Sequence, residues 1–230
     1  MRIRDAAPSR AEAAPAGSLM AEKEVERFFA RLAAANPAPH TELVYRDPFT
    51  LLVAVVLSAQ ATDVGVNRVS GPLFDAAPTP ATMVALGEER VRDLIKTIGL
   101  FRTKARNVVA LSRALLDRHG GMVPRERAAL EALPGVGRKT ANVVLNEAFG
   151  ESTIAVDTHV LRVANRTGLA PGKTPAAVET ILERVVPAKY KHGAHHWLIL
   201  HGRYVCLARR PACPSCVVAD LCRFEPKIRS

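Results

Sequence analysis

Leu133-Pro-Gly-Val-Gly-Arg-Lys-Thr140, continued by Ala-Asn-Val-Val-Leu-Asn-Glu-Ala-Phe-Gly150 and Glu-Ser-Thr-Ile-Ala-Val-Asp157, is the stretch around which the chain is organised. Its opening reads as a tight turn between two helices. Pro134 presets the first turn residue, and Gly135 can adopt the positive φ that a type II turn needs next. Gly137 leaves the backbone bare where a new helix starts, and the unpaired first amides of that helix can hold a phosphate. Lys139 falls in the first helical turn. There the positive end of the helix dipole disfavours an ammonium, so the pKa is predicted to fall and the amine to become a nucleophile. Asp157 follows an apolar run and precedes a helix-like segment. Turns of this kind also join helices in proteins that bind nothing, and Asp157 also fits an N-cap. Spacing alone leaves both readings open.

Charge favours a polyanion. The 230 residues carry a net charge of +10, and its location is uneven. Residues 101–140 hold nine Lys/Arg against three Asp/Glu, residues 186–230 hold eight against two, and the remainder is slightly acidic. One basic stretch contains the Gly-rich turn and the other contains every cysteine. This is the footprint expected of a nucleic-acid partner. No run of 18 apolar residues exists to span a membrane, and the N-terminus lacks the apolar core of a secretory signal. An intracellular protein is expected.

The four cysteines form one cluster, Cys206-x6-Cys213-x2-Cys216-x5-Cys222. In a reducing compartment such a cluster points to a metal centre rather than disulfides. Spacing and ligand type allow either zinc or an iron–sulfur cluster.

Elsewhere the chain reads as helices joined by short connections. Residues 1–20 are rich in Ala, Arg, Pro and Ser without apolar period, and a disordered tail is expected. Helices are predicted over 21–35, 47–60, 64–75, 79–86, 88–97, 102–118, 126–132, 138–149, 158–166, 175–186 and 193–207. The body from Leu51 to Leu57 is apolar all round, which marks a buried central helix, and its tip turns polar at Ser58-Ala-Gln-Ala-Thr-Asp63. No sustained period-two alternation occurs, so the class is all-α. His195, His196 and Trp197 read as the face of a structural helix, and Leu100 and Phe101 could tuck into the core.

Taken together, the motifs Leu133-Pro-Gly-Val-Gly-Arg-Lys-Thr140, Val156-Asp-Thr-His159, Leu57-Ser-Ala-Gln-Ala-Thr-Asp63, Trp197-Leu-Ile-Leu-His-Gly-Arg203 and the four-cysteine run resemble the endonuclease III family of DNA glycosylases, within the helix-hairpin-helix superfamily. The resemblance covers about residues 21–225. It implies two helical lobes: a six-helix barrel carrying the helix-hairpin-helix over 41–152, and a second lobe of 21–40 with 153–230 that holds a 4Fe–4S cluster on Cys206, Cys213, Cys216 and Cys222. It further implies a monomeric, bacterial-type cytoplasmic, nucleoid-associated enzyme of base excision repair. Such an enzyme acts on duplex DNA with damaged bases or abasic sites, removes oxidised pyrimidines and cleaves the strand by β-elimination.

On this resemblance Lys139 is the nucleophile and Asp157 its helper. Gln60 fills the space a flipped nucleotide leaves, and Leu100 wedges the opposite strand. Gly135, Gly137 and Arg138 meet a phosphate, and Arg209 and Arg210 reach the backbone from the loop that the cluster braces. Two alternatives remain: an adenine-mismatch glycosylase of the same superfamily, against which Lys139 argues, and a non-catalytic DNA-binding iron–sulfur protein.

Overall fold

A computed structural model describes residues 19–228. The tail expected over 1–20 lies outside the described residues apart from Leu19 and Met20. Met20 is already buried, and its N–H donates to the Gly168 carbonyl at 2.9 Å.

Ten α-helices and one turn of 3-10 helix make up the regular structure among the described residues. Two apolar cores divide them. The first is built on α2 (Pro48–Leu57), α3 (Asp63–Ala76), α4 (Pro80–Ile95), α5 (Phe101–His119), α6 (Arg127–Glu131) and α7 (Arg138–Phe149). The second takes α1 (Glu22–Ala35), α8 (Thr158–Thr167), α9 (Pro175–Val185), α10 (Ala188–Tyr204) and the cysteine-bearing segment after it. The chain thus starts in the second lobe, builds the whole of the first, and returns.

The centre of the first lobe is α2. Asp47 caps it, with Oδ1 accepting from the Thr50 amide at 2.8 Å, and Pro48 supplies a preset φ at its first position. Every residue from Phe49 to Leu57 is buried, so the helix has no solvent face. Truncating Leu52 to Ala there would cost about 2–5 kcal/mol through lost burial and the cavity left behind. Where α2 ends, the chain turns sharply and Gln60 takes a left-handed conformation, φ 52.

The two helices expected over 79–86 and 88–97 are present as the two arms of α4, which kinks at Gly87, where φ 78 and ψ 161 are not helical. One boundary differs from the sequence reading. The last long helix begins at Ala188 rather than Gly193, because Pro187 precedes its first turn and Gly193 serves another purpose. A Cβ at Gly193 would stand 2.8 Å from the Trp197 ring, so the glycine is a slot for the indole inside the helix. On α5 the buried stripe runs through Ala105, Val108, Leu111 and Leu115, while Leu116 is exposed.

Candidate active site

The hairpin forms the expected turn. Gly135 has φ 78, and the Val136 N–H donates to the Leu133 carbonyl at 3.1 Å, closing a turn with Pro134 and Gly135 at its centre. A Cβ at Gly135 would meet Asn107 of α5 at 2.7 to 2.9 Å, so glycine is required twice over, for conformation and for close approach. Gly137 is the N-cap of α7, with no side chain to cover the first amides, and is exposed.

Lys139 sits one position into α7 and lines a cavity between the lobes. Its walls include Ser58 and Asp63 from the first lobe and His195, His196 and Arg203 from α10. Burial is the largest influence on the amine and pulls its pKa below 10.5. Asp157 and Asp63 oppose that shift, and Arg203 adds to it. The direction matches the sequence expectation, but the main cause is desolvation, not the helix dipole.

Asp157 caps α8. Its Oδ1 accepts from the amides of His159 and Val160, each at 2.8 Å, and Oδ2 takes no protein hydrogen bond. The cap therefore leaves one carboxylate oxygen free, with its charge felt at Lys139. Lys139 and Asp157 come from different lobes.

Four polar residues around the cavity escaped the sequence reading. Arg203 bridges Asp63 and Glu42, tying α10 to the start of α3 and to the segment before α2. His196 Nε2 pairs with Glu147 at 2.7 Å, and Tyr45 donates to the same carboxylate at 3.3 Å. Arg203 and Asp63 stood at the ends of two quoted motifs, which was the available signal. Glu42 and Glu147 had none. His195 and His196, read as a structural face, are indeed buried but also floor the cavity.

Gln60 and Leu100 lie at the tips of two neighbouring turns. Gly99, beside Leu100, would bring a Cβ to 3.6 Å from the Gln60 carbonyl. Leu100 does not tuck into the core: it is 56% exposed, whereas Phe101 packs partly against it. Gln60 and Leu100 are also the two non-glycine residues with positive φ among the described residues, 52 and 58. Such backbone costs about 1–3 kcal/mol and survives only where the surroundings impose it.

Arg138, at the first position of α7, is not free. Its Nε and Nη2 form a fork onto Glu179 of α9 at 2.9 to 3.1 Å, and that carboxylate is only 3% exposed. Arg209 and Arg210 by contrast are exposed on the loop after Cys206.

All four thiols, Cys206, Cys213, Cys216 and Cys222, line one cavity with Val205, Pro211, Val218 and Phe224. None is in a disulfide. Burial raises the Cys216 and Cys222 pKa values. Two arginines of α8 grip the loop that starts this segment. Arg162 Nε donates to the Cys206 carbonyl at 3.0 Å, and Arg166 donates to the Leu207 and Ala208 carbonyls at 2.7 Å while stacking on Phe224. Among the described residues no three His, Cys, Asp or Glu side chains are grouped closely enough to hold a single ion.

Comparison with known proteins agrees with this architecture. Residues 53–188 match the family described as HhH-GPD superfamily base excision DNA repair protein. Endonuclease III of Escherichia coli (strain K12) is 60% identical over 198 residues, covering 86% of this chain and 94% of that protein. Endonuclease III of Treponema pallidum (strain Nichols) is 57% identical over 204 residues, covering 89% and 97%. A solved structure of a trapped endonuclease III–DNA covalent intermediate, an estranged-adenine complex, superposes with a TM-score of 0.84 at 45% identity, covering 89% of this chain and 97% of that one. A thermostable thymine-DNA glycosylase gives a TM-score of 0.80 at 26% identity, covering 88% and 96%.

Proposed function

Since the chain belongs to the HhH-GPD superfamily of base excision DNA repair proteins, we propose that the cavity between its lobes receives a damaged nucleotide flipped from duplex DNA and presents it to Lys139. The protein is a DNA glycosylase and AP lyase. The observation that carries the assignment is a desolvated lysine amine at the interlobe cavity, with a half-free carboxylate acting on it from the opposite lobe.

Lys139 attacks the sugar at C1′. The base departs with the electrons of the glycosidic bond and is protonated as it leaves. The opened sugar and the amine form an imine, which acidifies the adjacent C2′ proton. Loss of that proton expels the 3′ phosphate and cuts the strand. The free Oδ2 of Asp157 stabilises the positive charge that grows on the sugar or takes a proton from the amine. Oxidised pyrimidines are the substrates we assign, together with abasic sites, and the enzyme acts as a soluble intracellular monomer.

Gln60 and Leu100 enter the duplex. Their strained backbone supports this reading, because strain at exposed turn tips serves no packing purpose. The amides around Gly135 and Gly137 take a phosphate, and Arg209 and Arg210 grip the backbone from the second lobe. The thiol cavity holds a 4Fe–4S cluster, which cross-links the C-terminal segment and so fixes the Arg209 loop. The lobes are accordingly two domains, a helix-hairpin-helix barrel over 41–152 and a cluster domain of 21–40 with 153–230.

Borohydride trapping on a duplex with a single abasic site tests the assignment. A covalent adduct is expected. Its absence would favour a monofunctional adenine glycosylase or a non-catalytic binder.

A further inference from the structure

Two adjacent stripes on α7 do different work. Arg138, Asn142 and Asn146 recur every fourth residue and so share one face. All three reach the second lobe or the strand of chain leading to it. Arg138 forks onto Glu179 of α9, and Asn142 Nδ2 donates to the same carboxylate at 3.0 Å. Asn146 Nδ2 reaches the carbonyls of Glu151, Thr153 and His192 at 2.8 to 3.3 Å. Lys139, Val143 and Glu147 are each one residue later. Lys139 and Val143 line the cavity, and Glu147 holds the cavity residue His196. One residue along a helix is a rotation of about 100°. Whatever fixes the first stripe therefore fixes the direction in which the second one points.

Glu179 is the anchor. It lies between Val178 and Leu182 on the buried face of α9, where a lone carboxylate would be costly. Three donors from α7 satisfy it. Arg138 and Lys139 are two cations in the first turn of a helix whose dipole opposes them, and Glu179 offsets one. The guanidinium, with a raised pKa from this contact, has already found its anion within the protein.

We infer that Arg138 is a positioning residue that, through the buried Glu179, sets the rotation of α7 about its axis and thereby aims Lys139 at the reacting carbon, and that it is not a phosphate ligand. This rests on Lys139 being the nucleophile. It replaces the contact that the hairpin motif suggests for Arg138. An error of even 1 Å in the direction of a nucleophile can cost about 10²-fold in rate, so the clamp acts on the chemical step.

The test uses the full-length holoprotein and single-turnover borohydride trapping on an abasic duplex, with undamaged-duplex binding measured across salt. Glu179→Gln removes the charge while keeping the shape, and Arg138→Lys keeps the charge while losing the fork. Each should slow the trapping rate constant about tenfold or more at unchanged amplitude. The double variant should fall little further, because both act through one contact. Undamaged-duplex affinity and its salt slope should not move in Glu179→Gln. If Arg138 instead meets a phosphate, Glu179→Gln frees a cation, tightens binding and leaves the rate constant alone, which overturns the inference. A lowered amplitude at unaltered rate constant also overturns it, since that reports only a smaller folded fraction. If Glu179→Gln does not fold, Arg138→Lys carries the same test. Wild type without adduct overturns the Lys139 assignment and the clamp together; wild type with adduct and both variants unaltered overturns the clamp alone.

Discussion

In the first lobe a helix with no solvent face runs through the core, and five helices close around it; in the second, the C-terminal segment closes around a cavity lined by four thiols. Beyond Tyr204 the only regular element among the described residues is the single turn Cys213–Ser215. One lobe is held by apolar contact along long helices. The other combines such a core, where Phe29, Tyr190 and Trp197 pack ring against ring, with a segment too irregular to bury much surface of its own. The difference teaches where each lobe is vulnerable. The first fails by losing side-chain volume, and the second by losing whatever the thiols bind. The proposed reaction is divided the same way, with the amine of Lys139 on one lobe and the carboxylate of Asp157 on the other.

The largest expected effect separates that division of labour cleanly. Lys139→Gln should reduce the trapped adduct below detection while undamaged-duplex binding stays within about twofold, because phosphate contacts do not depend on the nucleophile. Strand cleavage at the normal rate would remove the first lobe's amine from the chemistry. From the second lobe, Asp157→Asn should slow base removal by about 10²-fold or more while keeping the α8 cap. Asp157→Ala should add a stability loss of about 1 kcal/mol, read by urea denaturation. Equal rates in wild type and Asp157→Asn would make the second lobe's contribution a cap alone.

Next comes the metal. Cys216→Ser should bleach the brown colour expected of the holoprotein. Hydrogen exchange should then accelerate in the segment after Tyr204 and leave α2 protected. Uniform acceleration in both lobes would show that the two are not held by separate means. A smaller effect concerns Asp63, whose charge pulls the Lys139 pKa upward against burial. Asp63→Asn removes that charge and releases Arg203, and both changes disfavour the ammonium. The rising limb of the single-turnover rate against pH should move to lower pH; a move to higher pH would contradict the arrangement. The smallest effect is Arg209→Ala with Arg210→Ala. The log–log salt slope, about −0.9 per neutralised phosphate, should become shallower by about one unit per lost contact, and lesion preference should survive.

Much of the first lobe could be read in advance, because burial writes a periodic pattern. The apolar run Leu51–Leu57, the capped start at Asp47-Pro48 and the Pro-Gly turn each have a local physical cause. The clustering of the four cysteines was as clear, and the structure gathers all four around one cavity. What stayed hidden were residues whose partners are remote in sequence. Nothing near Glu179 announces Arg138, 41 positions away, and nothing near Glu147 announces His196. Arg162 and Arg166 looked like the polar face of α8 but hold the cysteine loop. The Lys139 pKa direction could be foreseen from the helix start, but its main cause, burial between lobes, required the second lobe to be in place.

The return of the chain to its starting lobe imposes an order in time. α1 emerges first from synthesis, yet its partners come much later: the Trp197 indole donates to the Asn36 carbonyl across 161 positions, and Arg31 pairs with Asp220 across 189. The first lobe needs no such wait, since its core residues run from Leu43 to Leu145, with Ala155 shortly after. Vectorial folding therefore completes the barrel while α1 hangs unpartnered, its apolar face of Val25, Phe28, Phe29 and Leu32 exposed to solvent or to chaperones. Closing a loop of that length costs only slightly more than closing one half as long, so the delay is kinetic far more than thermodynamic. The cysteines follow long after the hairpin. A nascent chain would thus carry a finished hairpin and Lys139 before α8 presents Asp157 and before the thiol cavity can close.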